Sequence, residues 1–227
     1  MKLFGAPLSP FVRKARIVAL EKDIDYEYDP RPSPLGWPEG FEKINPLRRI
    51  PALLPDENNP DFAINDSSPI CAYLEKLVAS PVLYPADADA YGRALWFEEL
   101  ADSGLGEMIG LGCFRPVMFN VFSGKEPDYE TADAGFEKLA QRLLAYLEQQ
   151  LDGCDWLAGD AFSIADIAVA TQFINLSHAS YQLSQKRFPN LVAHFVRCKA
   201  RPSIAKFIGE DEKMLAGMGV DLPPRVL

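Results

Sequence analysis

Hydrophobic spacing changes character about a third of the way along the chain. In the first part, short apolar runs alternate with helical patterns. Lys2 to Ala6 predicts a strand. Pro10 to Lys22 predicts a helix, with Ser9 suited to the N-cap, Pro10 to the first turn, and Val12, Ala15, Ile17, Val18 and Leu20 at apolar positions. Asp25 to Asp29 predicts a second strand. Pro30 to Gly40, with four prolines and two glycines, predicts a loop. Pro51 to Leu54 and Phe62 to Ile64 predict a strand pair around the turn Pro55 to Pro60, and Ser67 to Leu77 predicts a helix that tolerates Pro69 in its first turn. The order is β-α-β-(loop or helix)-β-β-α.

Beyond a Pro-containing stretch of small residues, Ala79 to Ala90, the patterning is helical throughout. Tyr91 to Gly112 predicts one long helix, bent near Gly104 and Gly106, with Gly112 to Asp128 following as a loop. Thr131 to Leu151 predicts a second, with Phe136, Leu139, Leu143, Leu144 and Leu147 on one stripe. Ser163 to Ser177 is apolar on all sides and predicts a central buried helix. Phe188 to Ala200 and Ser203 to Met214 predict two more. The resulting division is 1–79, a linker at 80–90, and an all-helical part at 91–227.

Of the 227 residues, 48% are hydrophobic, which supports packed cores. The formal net charge of −9 argues against nucleic-acid binding and docking on anionic membranes. Met1 to Pro7 has no long apolar stretch and does not read as a signal peptide, and no apolar run is long enough to span a bilayer. The expected setting is therefore cytoplasmic. Cys71, Cys113, Cys154 and Cys198 lie far apart, with only His178 and His194 besides, so no metal site is expected; all four read as free buried thiols.

Three places hold candidate chemistry. Ser9 puts a hydroxyl at a helix N-terminus, where it either caps the helix or donates to an anion held by the backbone N–H groups and the helix dipole. Asp66-Ser67 offers the same choice at a later helix. Between them, Asn45-Pro46-Leu47-Arg48-Arg49-Ile50-Pro51-Ala52-Leu53 ends an extended segment at a proline. Phe162-Ser163-Ile164-Ala165-Asp166-Ile167 combines a capping-box pair, Ser163 and Asp166, with staple spacing of Phe162 and Ile167, and reads as structural.

Taken together, these segments resemble the cytosolic glutathione transferase superfamily, in its Ser type, over nearly the whole chain. The resemblance implies a thioredoxin-like N-terminal domain followed by an all-helical domain, an α/β plus all-α architecture. It implies glutathione as co-substrate, with Ser9 as the catalytic group stabilising the thiolate, which attacks small apolar electrophiles. Glutathione would be held by Ser9, Arg49, Ile50, Pro51, Asp66 and Ser67. In the family the proline at this place is cis, and the residue before it pairs its backbone with the cysteinyl unit; the alternative is an ordinary trans proline opening a strand. Arg49 stands where relatives often carry Lys or Gln, Arg48 where many have Gly, and Asp66 where many have Glu. Arg13, one turn beyond Ser9, reads as a surface charge or as positive charge near the sulfur. The electrophile pocket would draw on Leu8, Met108, Leu111, Phe114 and Arg115. A two-fold homodimer and a detoxifying role are also implied. A glutathione-dependent reductase, isomerase or dehalogenase, and a non-catalytic binding module, remain alternatives. Ser at position 9, where thiol-transfer members have Cys, argues against a mixed-disulfide intermediate.

Overall fold

The computed structural model describes residues 1–59 and 61–226, so Pro60, at the end of the expected turn, and Leu227, at the end of the expected helical part, lie outside the described residues. The chain divides into two compact units, Met1–Tyr84 and Pro85–Leu227.

The first unit is built on β1 (Lys2–Phe4), α1 (Pro10–Glu21), β2 (Glu27–Asp29), α2 (Phe41–Ile44), β3 (Ala52–Leu54), β4 (Ile64–Asn65) and α3 (Ser67–Leu77). Its sheet runs in the order β2-β1-β3-β4. β1 is parallel to β2, with Leu3 opposite Tyr28, and antiparallel to β3, with Leu3 opposite Leu53. This mixed sheet is thioredoxin-like, as the element order implied. Phe4, Phe41, Ala52 and Leu54 form a core cluster, with Trp37, Ile44 and Ile50 packed against it. α1 and α3 pack on one another. Lys22, at the C-terminal end of α1, is buried, and its ammonium reaches Val78 O and Pro81 O at 2.7 Å each and Glu75 Oε2 at 2.6 Å. The ammonium is thus fully occupied by acceptors, which offsets its desolvation.

The strands are shorter than expected. β1 stops at Phe4 because Gly5 turns the chain at φ +141. A Cβ at position 5 would lie 2.5 Å from Val12 Cγ2 and 3.0 Å from Ile50 Cβ, so only glycine lets these three segments meet.

The second unit is helical. Ala88–Glu99 opens a helix that runs unbroken through 88–122 and is labelled α4; Asp87 caps it, accepting from Asp89 N at 3.1 Å and Ala90 N at 3.0 Å. Leu100–Leu105 and Gly110–Phe119 within it adopt the wider π-helical turn. This overturns the loop expected from Gly112: Pro116 lies inside the second wide segment, and its carbonyl accepts from Asp128 N at 3.0 Å. A π turn relaxes the crowding that proline causes in a regular helix. The helix α5 spans 129–150, again with a π segment, Ala140–Leu144. α6 (Ile164–His178), β5 (Tyr181–Gln182), α7 (Pro189–Lys199), α8 (Pro202–Gly217) and β6 (Arg225–Val226) complete the unit. Every residue of α6 from Ile164 to Leu176 is buried, as its all-round apolar pattern implied.

Asp166 is the polar centre of this unit. Its Oδ1 accepts from Leu157 N at 3.0 Å and lies 2.8 Å from His194 Nε2, while Oδ2 accepts from Ser163 N at 2.9 Å and Ser163 Oγ at 3.1 Å. The capping pair is therefore structural and also recruits His194 of α7. The parallel β5–β6 ladder had no signal in the sequence. Arg225 Nη2 meets Asp133 Oδ2 at 2.6 Å, and the same carboxylate accepts from Tyr181 Oη. Cys71, Cys113 and Cys198 are buried, but Cys154 is exposed, which corrects the expectation that all four thiols are buried. No helix among the described residues is long and apolar enough to cross a membrane.

Candidate functional site

Ser9 is the N-cap of α1. Its backbone is extended, and its Oγ accepts from Val12 N over a long 3.4 Å, which leaves the hydroxyl proton to point elsewhere. Leu8, beside it, is half-buried in the turn from β1. Arg13 is only 1% exposed, which corrects the alternative reading of it as a surface charge.

The Ile50–Pro51 peptide bond is cis, as the resemblance implied and an isolated X–Pro would not. Pro51 O accepts from Asp66 N at 3.3 Å, which ties the loop to the start of α3. Among the described residues, Ile50 makes no hydrogen bond, so its N–H and C=O form a short open edge just ahead of β3. Arg49 is exposed. Arg48 adopts φ +47, a left-handed conformation that glycine takes without steric cost and other residues adopt rarely.

Asp66 caps α3 with φ +79 and a 3.4 Å contact from Ser68 N to its Oδ1; the rest of its carboxylate faces solvent. Ser67 is buried at the first position of α3. The neighbouring Ser68 Oγ accepts from Nζ of the fully buried Lys14, at 2.9 Å, so an α1 side chain anchors the first turn of α3. Ser9, Ile50–Pro51 and Asp66–Ser67 are thus joined through Gly5 and Val12, through the Pro51–Asp66 bond and through Lys14. Two helix N-termini and an open strand edge in one small unit suit an extended, anionic peptide.

Sequence reasoning missed Gly5 and Asn45. The buried Asn45 donates from Nδ2 to Arg49 O at 2.9 Å and accepts at Oδ1 from Leu47 N at 3.0 Å, and its carbonyl accepts from Arg48 N at 2.9 Å. An Asn-Pro pair signals only a turn; that the side chain spans the loop is a tertiary fact.

The residues expected to meet the electrophile in the second unit have different settings. Met108 and Leu111 line a cleft of about 500 Å³ between α4 and α5, with Glu107, Glu130 and Lys138. A Cβ on Gly135 would sit 2.3 Å from Gly112 O, so the helices touch backbone to backbone there. Phe114 is buried edge-on to Phe119 at 6.2 Å, and the exposed Arg115 lies over the same ring at 5.5 Å. Among the described residues, no group of His, Cys, Asp and Glu side chains is arranged to hold a metal ion.

A thioredoxin-like unit followed by a helical unit is a two-part plan that comparison with known proteins assigns to a family. The N-terminal domain model of the glutathione S-transferase family matches residues 3–82 and its C-terminal domain model residues 113–211. Glutathione S-transferase 3 of Zea mays is 31% identical over 73% of this chain and 73% of its own. A glutathione S-transferase of Triticum aestivum is 29% identical over 83% of this chain and 84% of its own. The crystal structure of a glutathione S-transferase from Rhodospirillum rubrum F11 superposes with a TM-score of 0.78 at 25% identity, covering 91% of this chain and 90% of that one. The chain belongs to the glutathione S-transferase family.

Proposed function

We propose that the chain binds glutathione on its first unit and conjugates the thiolate to small apolar electrophiles. The observation that carries this reading is the open Ile50 edge in the same unit as the Ser9 hydroxyl. The Ile50 backbone pairs with the cysteinyl unit, and Arg49 meets the glycine carboxylate. Ser67, with the N–H groups of α3, receives the γ-glutamyl carboxylate, and Asp66 its ammonium. Ser9 donates to the sulfur, aided by the N-terminus of α1, and lowers the thiol pKa; two units correspond to about 2.7 kcal/mol. The sulfur then forms a bond to an electrophilic carbon, and the displaced group leaves with its electron pair. Leu8, half-buried beside Ser9, supports the apolar character assigned to the electrophile. The active form is proposed to be a homodimer of this 25.2 kDa chain, which light scattering checks.

The test is the ultraviolet thiolate absorbance of bound glutathione against pH, for wild type and Ser9→Ala. A band persisting near neutral pH in wild type and lost in the variant, with glutathione affinity nearly unchanged and turnover strongly reduced, is expected. Binding without that band would return Ser9 to a helix cap alone. Absence of binding at millimolar glutathione would favour a non-catalytic role.

A further inference from the structure

Arg48 is the unusual residue of the loop ahead of β3. It holds a left-handed backbone at φ +47, which side chains other than glycine adopt rarely. Its own side chain does little to hold it there: Arg48 and Glu42 are both exposed, and their 3.6 Å pair is a weak surface contact. Asn45 brackets the residue instead. Its carbonyl takes the Arg48 N–H, its Oδ1 takes the N–H one residue before, and its Nδ2 holds the carbonyl one residue after. The next residue is Ile50, whose N–H and C=O are open and whose Cβ stands against Gly5. If Arg48 relaxed to negative φ, the peptide planes of Arg49 and Ile50 would rotate, and the open edge would turn with them.

We propose that Asn45 is a positioning residue for the glutathione site: it holds Arg48 in the left-handed conformation and so keeps the Ile50 edge aimed at the bound peptide. The inference rests on the glutathione reading of this unit. Because the clamp opposes a strain that glycine would not have, Arg48→Gly makes the clamp dispensable. Asn45→Ala removes both side-chain bonds. Asn45→Asp keeps the acceptor for Leu47 N–H and loses only the donor to Arg49 O.

The experiment measures glutathione affinity by calorimetry, the pH midpoint of the bound thiolate, and thermal stability, for wild type, Asn45→Ala, Asn45→Asp, Arg48→Gly and each double variant. Asn45→Ala is expected to weaken glutathione about tenfold or more, and Asn45→Asp somewhat less. The thiolate midpoint, a property of Ser9, stays in place in both. Adding Arg48→Gly is expected to recover most of the lost affinity and most of the lost stability, while Arg48→Gly alone binds as wild type does. The rescue separates loop geometry from the charge that aspartate adds, since that charge persists in the double variant. If Asn45→Ala fails to fold, Asn45→Asp with and without Arg48→Gly carries the test. Unchanged affinity in the folded Asn45 variants, or loss that Arg48→Gly does not restore, overturns the inference and leaves the glutathione reading standing. Failure of wild type to bind millimolar glutathione overturns both.

Discussion

The two units solve the burial of polar groups in opposite ways. In the first, the Ile50 edge has no partner among the described residues and is framed by the buried Asn45, while the buried Lys14 anchors the first turn of α3. In the second, polar groups converge inward on the fully buried Asp166, whose carboxylate takes Leu157, Ser163 and His194 at once. The first unit leaves the Ile50 backbone without an internal partner, whereas in the second Asp166 is satisfied inside a core that α6 fills mostly with apolar side chains. A buried, satisfied network such as that of Asp166 stabilises; an unpartnered edge keeps hydrogen-bonding capacity in reserve.

The largest effect that sharpens this contrast is expected at the buried centre. Asp166→Ala strands two backbone N–H groups and one face of His194 in the interior, and should cost about 3–5 kcal/mol of stability in urea denaturation. A loss under about 1 kcal/mol would show that Asp166 is a bystander. In the first unit, Gly5→Ala places a methyl 2.5 Å from Val12 Cγ2 on a backbone at φ +141 and should cost about 1–3 kcal/mol. Because the same methyl reaches Ile50, glutathione affinity should fall with it; lost stability with intact affinity would uncouple Gly5 from the open edge. The smallest effect is a pH dependence. Burial pushes the Cys113 thiol up to about 12, so the native chain keeps a proton that the unfolded chain releases above about pH 8.5. The unfolded state then binds fewer protons, and stability falls as pH rises through that window, by up to about 1.4 kcal/mol per unit. Cys113→Ala should flatten that slope, read from denaturation midpoints between pH 8 and 10.

Local patterns carried most of the architecture. Ser9 with Pro10, the apolar spacing of α1, the unbroken apolar run of α6 and the Ser163–Asp166 capping pair are local signals, and each predicts its element. What escaped depends on partners distant in sequence or on rarely used conformations. His194 meets Asp166 across 28 residues, and the two-residue β5–β6 ladder joins segments that show no strand pattern of their own. Gly112 to Asp128 reads as a loop, whereas Pro116 sits inside a π-helical turn that continues the helix. In the candidate site, Ser9, Ile50–Pro51 and Asp66–Ser67 stand out as motif residues. Gly5 and Asn45 do not, since a glycine after a strand and an Asn before a proline both read as simple turn formers. Arg48 offers no sign of a left-handed backbone, because arginine has no preference for it.

Lys14 and Lys22 carry a practical consequence. Both ammonium groups are held inside the first unit, one by Ser68 and the other by Val78, Pro81 and Glu75. Acylating reagents act on the free amine, and these two are shielded as long as α1 and α3 stay together. Immobilising the protein on an amine-reactive support would therefore anchor it through its outer lysines, while modification of Lys14 or Lys22 would mark molecules whose first unit had already opened.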